Sequence, residues 1–153
     1  MIRLNFPDYN FRILDRDGKL SIFDPVRKKY VALTPEEWVR QHVILFLVRE
    51  KQIPISLIRA ESVIKLYNTR KRFDLAVSDR NGNALLVVEC KAPSVPVDQD
   101  VLDQAIRYNL AMKVGFLMLT NGLHHIFCRI DAETGNMAIM DDLPSFDGIS
   151  LPL

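Results

Sequence analysis

Two uninterrupted apolar runs constrain this chain more than any other feature. Ala84-Leu85-Leu86-Val87-Val88-Glu89-Cys90-Lys91 and Gly115-Phe116-Leu117-Met118-Leu119-Thr120 both lack the alternation of a strand with one wet face. Runs of this kind are strands buried on both sides. Pro93 and Pro96 end the first of them. Between the two, Val101, Leu102, Ala105, Ile106 and Tyr108 give a helix from about 98 to 112 a packed face.

The other segments arrange themselves around that centre. Residues 11–14 and 20–23 flank the polar stretch 15–19 and read as a hairpin, and 30–33 looks extended. Thr34-Pro35-Glu36-Glu37 has Thr to cap a helix, Pro at its first position and Glu at its third, a capping box. The helix it opens is predicted to run to about Glu50, with a broad apolar face. Strands over 63–67 and 73–77 are joined by a basic turn over 68–72, and Asn81-Gly82 marks a hairpin into the Ala84 run. Residues 124–129 alternate as a further strand, Met137 to Met140 form an edge strand, and the tail with Pro144 and Pro152 is expected to be irregular. The order β-hairpin, α, β-β-β, α, β-β predicts one α/β domain over 1–153, a mixed sheet flanked by helices with an N-terminal β-hairpin.

Charge excludes the simplest functional classes. Lys and Arg number 20 and Asp and Glu 19, a net charge of +1. That balance rules out a polybasic arm or acidic tail and removes the argument from a basic pI to nucleic acid. Cys90 and Cys128 are too few for a disulfide framework or a four-thiolate zinc site. Each lies in a strand-like apolar run and is expected to be a buried free thiol. His42, His124 and His125 lack a metal-ligand motif and are expected in core or surface roles. Residues 1–8 lack the apolar stretch of a signal peptide, and the most apolar window, 43–48, is far short of the ~20 residues a bilayer needs. The expectation is a cytoplasmic protein with no membrane partner.

The anomaly is the end of the first apolar run, where Glu89 and Lys91 interrupt it. Residues two apart in a strand share a face, so these two lie side by side while Cys90 points the other way. Burying a carboxylate and an ammonium costs several kcal/mol per ion unless they pair or bind something, at roughly that scale. Asp74 lies on the preceding strand and approaches Glu89 if the two strands pair. Two converging carboxylates with a lysine suit Mg²⁺, with hard oxygen ligands, retained water and a cation beside it. Gln104 and Tyr108 are four apart on one face of the second helix, where an amide and a phenol can bond a phosphate or hold a catalytic side chain.

Asp74, Glu89-Cys90-Lys91 and Gln104-Ala105-Ile106-Arg107-Tyr108 together resemble the Asp…Glu-x-Lys…Gln-x-x-x-Tyr signature of the PD-(D/E)XK nucleases. Within that superfamily the chain is most similar to the N-terminal nuclease domain of type I restriction enzyme R (HsdR) subunits. Thr34 to Gln41, Lys71-Arg72-Phe73-Asp74, Val88 to Pro93, Asp103 to Asn109 and Leu119-Thr120-Asn121-Gly122 carry the likeness, over about residues 30 to 130. The resemblance implies a restriction-endonuclease-like fold and a Mg²⁺-dependent DNA endonuclease, with Mn²⁺ as a substitute. It implies metal ligation by Asp74, Glu89 and the backbone carbonyl of Cys90. Lys91 would orient or deprotonate the attacking water, Gln104 and Tyr108 would support the site or contact DNA, and Glu37 would be the helical glutamate that many such nucleases place near the metal. Phe73 stands where the signature has Pro.

The basic residues Arg70, Lys71 and Arg72, and Arg107 on the second helix, are the candidate DNA contacts. No Gly-x-x-x-x-Gly-Lys-[Ser/Thr] occurs. A motor, or a methylase or specificity subunit, would therefore be a separate partner, and two cuts in a duplex would call for a homodimer. The near-neutral total predicts modest, strongly salt-dependent DNA affinity. The alternative reading is a catalytically inactive DNA-binding or assembly module that kept the fold. A nuclease for RNA or for DNA ends is a third.

Overall fold

The structure is a computed structural model, and it describes residues 1–66, 69–131 and 133–150. β1 (Ile13–Arg16), β2 (Lys19–Asp24) and β3 (Lys29–Ala32) form a three-stranded antiparallel sheet in that order. Then come α1 (Pro35–Arg49), a short 3₁₀ turn at Ile55–Leu57, β4 (Ile58–Leu66), β5 (Thr69–Ser78), β6 (Ala84–Cys90) and α2 (Gln99–Met112). β7 (Phe116–Thr120), β8 (His125–Ile130), β9 (Met137–Met140) and α3 (Phe146–Ser150) complete the chain. The second sheet has six strands in the order β4-β5-β6-β7-β8-β9. Only β6 and β7 run parallel, joined across α2, and the other pairs are antiparallel.

The two apolar runs are the two central strands, as their patterning predicts, because helices cover both faces. Val39, Val43, Ile44 and Leu47 of α1 pack on Leu75, Val77, Leu86, Val88 and Met118. Leu102, Ala105 and Met112 of α2 pack on Ala76, Val87, Leu117 and Leu119, the alternate residues of the same strands. Cys90 and Cys128 are buried free thiols. Among the described residues no helix is long and apolar enough to cross a membrane.

Four sequence expectations need correction. The first hairpin is tighter than a five-residue turn: only Asp17 and Gly18 connect β1 and β2, both at positive φ, and residues 30–33 contribute β3 to the same sheet. The basic segment is not a turn, since Arg70, Lys71 and Arg72 lie within β5, and β4 begins five residues earlier than read. The predicted turn and strand residues Tyr67 and Asn68 lie outside the described residues, as does Pro152 of the tail. The tail is not wholly irregular: α3 docks Ile149 beside Leu143 in the α1-side core.

The capping box is half made. Thr34 Oγ1 accepts the Glu37 N–H at 3.1 Å, but the Glu37 carboxylate turns away from the cap. Thr34→Ala is expected to cost about 0.5–2 kcal/mol in a denaturant titration, the usual range for a lost N-cap. The helix is buried nearly all round, because the N-terminal segment covers the face the sheet does not: the Trp38 indole N–H donates to Ile2 O at 2.8 Å. His42 is buried by Phe6, Tyr9 and Phe11 of that segment, and Glu37, Arg40 and Gln41 are buried as well.

Candidate active site

β6 ends where its central position leaves it open above α2. Glu89 and Lys91 share the α2 side, while Cys90 turns into the α1-side core. The Lys91 N–H continues the parallel ladder by donating to Thr120 O at 2.8 Å, which holds the residue in strand-like alternation past the end of β6. α2 begins with Asp98 accepting the Val101 N–H and lies back across this strand end, presenting Gln104 and Tyr108. The result is a cleft of about 170 Å³ lined by Lys71, Glu89, Lys91, Val101, Gln104, Ala105, Tyr108 and Leu119.

Lys71 enters this cleft because β5 alternates. Its Nζ lies 3.6 Å from Glu89 Oε1 and 5.0 Å from the centre of the Tyr108 ring. Arg72 faces the other way and approaches Glu61 at 3.8 Å. Arg70 is exposed on β5, and Arg107 is exposed on α2 outside the cleft lining. The basic cluster expected to act together is thus divided between two faces.

Asp74 sits where the β-pairing gives out. The β5–β6 ladder reaches Leu75↔Val88, and beyond it the Cys90 N–H donates to Asp74 Oδ2 at 2.6 Å. Leu75 packs in the α1-side core but Phe73 in the α2-side core, so the alternation of β5 slips at Asp74. Across the β4–β5 pair the slip is matched at Glu61, whose φ of 52° is left-handed. Asp74 Oδ1 consequently faces α1, 3.8 Å from Arg40 Nη2.

The two carboxylates nevertheless feel one another. Burial and then the Asp74 charge push the Glu89 carboxyl above its ordinary range, and Lys71 and Lys91 pull it part of the way back. Glu89 Oε1 is buried and accepts no hydrogen bond. Burial pushes the Cys90 thiol well up, which keeps it protonated and unfit as a thiolate ligand. A divalent cation fits this donor set: hard oxygens, one of them orphaned, in mutually repelling carboxylates. Among the described residues no third His, Cys, Asp or Glu joins them in a cluster. The remaining ligands would be carbonyl and water, the mixture Mg²⁺ tolerates.

Glu37 does not line the cleft. Its Oε1 accepts Arg27 Nη2 at 2.7 Å and its Oε2 accepts Gln41 Nε2 at 3.2 Å, with Arg40 Nε at 3.4 Å. Sequence reasoning singled out neither Arg27 nor Arg40. The available signal was Arg40 three residues after Glu37, one turn along the same helix face. Two of the three histidines have structural partners: the His42 ring lies 2.8 Å from Trp38 O and the His125 ring 2.7 Å from both Thr120 Oγ1 and Asn5 O.

A larger groove of about 690 Å³ lies at the other end of the sheet, beside Ser78, Arg80 and Lys113. Its one carboxylate, Asp79, is spent on its own turn, accepting the N–H groups of Asn81 and Asn83. The smaller cleft is therefore the candidate site.

A mixed sheet between α1 and α2, with Asp74 inside β5 beside the Glu-x-Lys end of β6, defines an α/β fold of the restriction-endonuclease-like class. The chain belongs to the family described as type I restriction enzyme R protein N terminus (HSDR_N), whose model matches residues 35–144. A fragment described as an HsdR subunit of a type I restriction enzyme from Vibrio vulnificus YJ016 superposes with a TM-score of 0.55 at 23% identity. The match covers 76% of this chain and 24% of that one, and it shows shared fold. A DUF820 protein from Anabaena variabilis ATCC 29413, described as a nuclease, gives a TM-score of 0.43 at 14% identity over 84% of this chain and 80% of that one. No curated protein matches the chain.

Proposed function

We propose that this chain is a Mg²⁺-dependent DNA endonuclease domain that hydrolyses phosphodiester bonds, with Mn²⁺ able to replace Mg²⁺. The observation that carries the reading is the cleft itself: Glu89, Lys91, Lys71, Gln104 and Tyr108 converge there, with Asp74 electrostatically coupled to Glu89. Asp74 and Glu89, with the Cys90 carbonyl, are the groups to hold the ion. When bound, the metal supplies Lewis-acid activation of water and charge neutralisation at the phosphoryl group.

The chain's own residues do the rest. Lys91 places an ammonium beside Glu89, where it orients the attacking water and stabilises charge developing on the phosphorus oxygens. Lys71, held against the Tyr108 ring, supplies a second cation to the same phosphate. Gln104 and Tyr108 offer an amide and a phenol along the rim, for phosphate contact or to keep Lys71 in place. Arg70, Arg72 and Arg107, outside the cleft, suit contacts to flanking phosphates. A motor and a methylase or specificity subunit are the partners this reading calls for, and a homodimer would bring the two sites a double-strand cut requires.

Supercoiled plasmid incubated with the purified protein and Mg²⁺ or Mn²⁺ is expected to become nicked and then linear, with no change in EDTA. DNA retarded in a gel but uncut in either metal would favour the inactive binding module instead.

A further inference from the structure

We propose that Arg40 is the positioning residue for Asp74, and that Glu37 acts through Arg40 and not as a ligand of the metal. The inference rests on Asp74 being part of the site proposed above. It assigns the α1 helix a function in that site.

Asp24, Arg27, Glu37, Arg40 and Asp74 form a line of alternating charge from the N-terminal sheet, across α1, to β5. Its far end is fixed: Asp24 is fully buried and pairs with the Arg27 guanidinium while accepting the backbone N–H groups of Val26 and Arg27. Arg27 passes the constraint to Glu37 at 2.7 Å, and Gln41 holds the other Glu37 oxygen. Both oxygens are held by donors outside the cleft, which aims Glu37 at Arg27 and Gln41 and away from Glu89. Its remaining neighbour is Arg40.

Arg40 is 6% exposed, and its Nε and Nη1 make no hydrogen bond. A buried guanidinium with idle donors is costly, so its position needs a compensating field. Glu37 at 3.4 Å, Glu61 at 3.6 Å, Asp74 at 3.8 Å and Glu36 at 3.9 Å provide one. For Asp74 the consequence is orientation. One oxygen is bound by the Cys90 N–H and the other faces Arg40, so the carboxylate plane is set from two directions. Glu89, on the other side of the strand end, is approached at Oε1 by Lys71 at 3.6 Å, and that oxygen accepts no hydrogen bond.

The direct readout is the Cys90 amide, whose hydrogen bond to Asp74 reports the carboxylate's position without metal or DNA. In Arg40→Gln, native-state hydrogen exchange at Cys90 is expected to quicken by about tenfold more than at Val88, the selective loss of one local contact. Glu37→Gln, which keeps the helix and the Gln41 contact, should move the same amide in the same direction by a smaller factor. Exchange at Cys90 that is unchanged, or that rises only in step with Val88 and the rest of the core, overturns the proposal. If Arg40→Gln does not fold, Glu37→Gln decides on the same criterion.

Mn²⁺ titration by calorimetry provides the second arm. Glu37→Gln should weaken Mn²⁺ binding no more than Arg40→Gln does, with both losses at or below the roughly 10–100-fold typical of residues that only orient ligands. A loss in Glu37→Gln well beyond that in Arg40→Gln would make Glu37 a ligand and overturn the proposal. A wild-type protein that binds no Mn²⁺ would count against the proposed nuclease function, while the Cys90 exchange would still decide the role of Arg40.

Discussion

Lys91→Ala is expected to lower the rate of plasmid cleavage by about 10²–10³-fold, the usual consequence of removing one charge-stabilising group from a preorganised site. Asp74→Ala should fall at least as far, because it removes both a ligand and the group that binds the Cys90 N–H. Neither change should unfold the protein. Lys91 follows β6 and borders an open cleft, and Asp74 lies just beyond the β5–β6 ladder. Single-turnover rates with each variant in excess over DNA separate the chemical step from binding. Cleavage that survives both substitutions would show that the nucleolytic centre lies elsewhere.

The second large effect is on stability and has an unusual sign. Glu89 carries a charge in a buried position next to another carboxylate, and its carboxyl is raised above the ordinary value of 4.5. Such a group binds its proton more tightly when folded. Its favourable contribution is therefore complete at pH below the ordinary carboxyl range and is lost as pH rises through the raised one. Glu89→Gln removes that loss. The metal-free variant is expected to be more stable than wild type at pH 7 by about 0.5–2 kcal/mol, the scale commonly recovered when functional strain is relieved. Below pH 4 the advantage should vanish. Metal reverses the comparison: Mn²⁺ at about 100 times its Kd should stabilise wild type by about 2.7 kcal/mol and leave Glu89→Gln nearly unchanged. Thermal unfolding at several pH values, with and without Mn²⁺, reads all of these.

The site was legible in the sequence to the extent that its geometry is periodic. Period two put Glu89 and Lys91 on one face, and Cys90 on the other, and the structure agrees. Period 3.6 put Gln104 and Tyr108 together, and both line the cleft with Glu89 and Lys91. The Asn81-Gly82 hairpin correctly brought β5 beside β6. What escaped was aperiodic. The slip at Asp74 depends on a left-handed Glu61 on a neighbouring strand, for which the sequence carries no glycine signal. Lys71 looked like one member of a turn because Arg70-Lys71-Arg72 is continuous in charge, yet strand alternation sends Lys71 and Arg72 to opposite sides.

The α1 cluster escaped for a different reason. Glu37 satisfies a capping-box pattern, but its carboxylate has two cations nearby, and a charged partner outcompetes a neutral backbone N–H for a buried carboxylate. Arg40 lies one turn along the same helix, but Arg27 comes from the β2–β3 connection, and no local spacing announces that partner. The same holds for α3, five residues long, where the docking of Ile149 against the core outweighs Gly148 and the adjacent prolines.

The net charge of +1 takes on a narrower meaning once the residues are placed. Positive groups are concentrated where the carboxylates are, with Lys71 and Lys91 on the cleft side and Arg27, Arg40 and Arg72 on the α1 side. Much of that charge is internally compensated. Under the proposed function, DNA binding by the isolated chain is expected to be weak and salt-sensitive.

The most direct test is a crystal soaked in Mn²⁺ and measured at the manganese absorption edge. The account predicts one anomalous peak within coordination distance of both Asp74 and Glu89, with Lys71 displaced from Glu89. A peak bound elsewhere, or Asp74 and Glu89 left unliganded in saturating Mn²⁺, would contradict it.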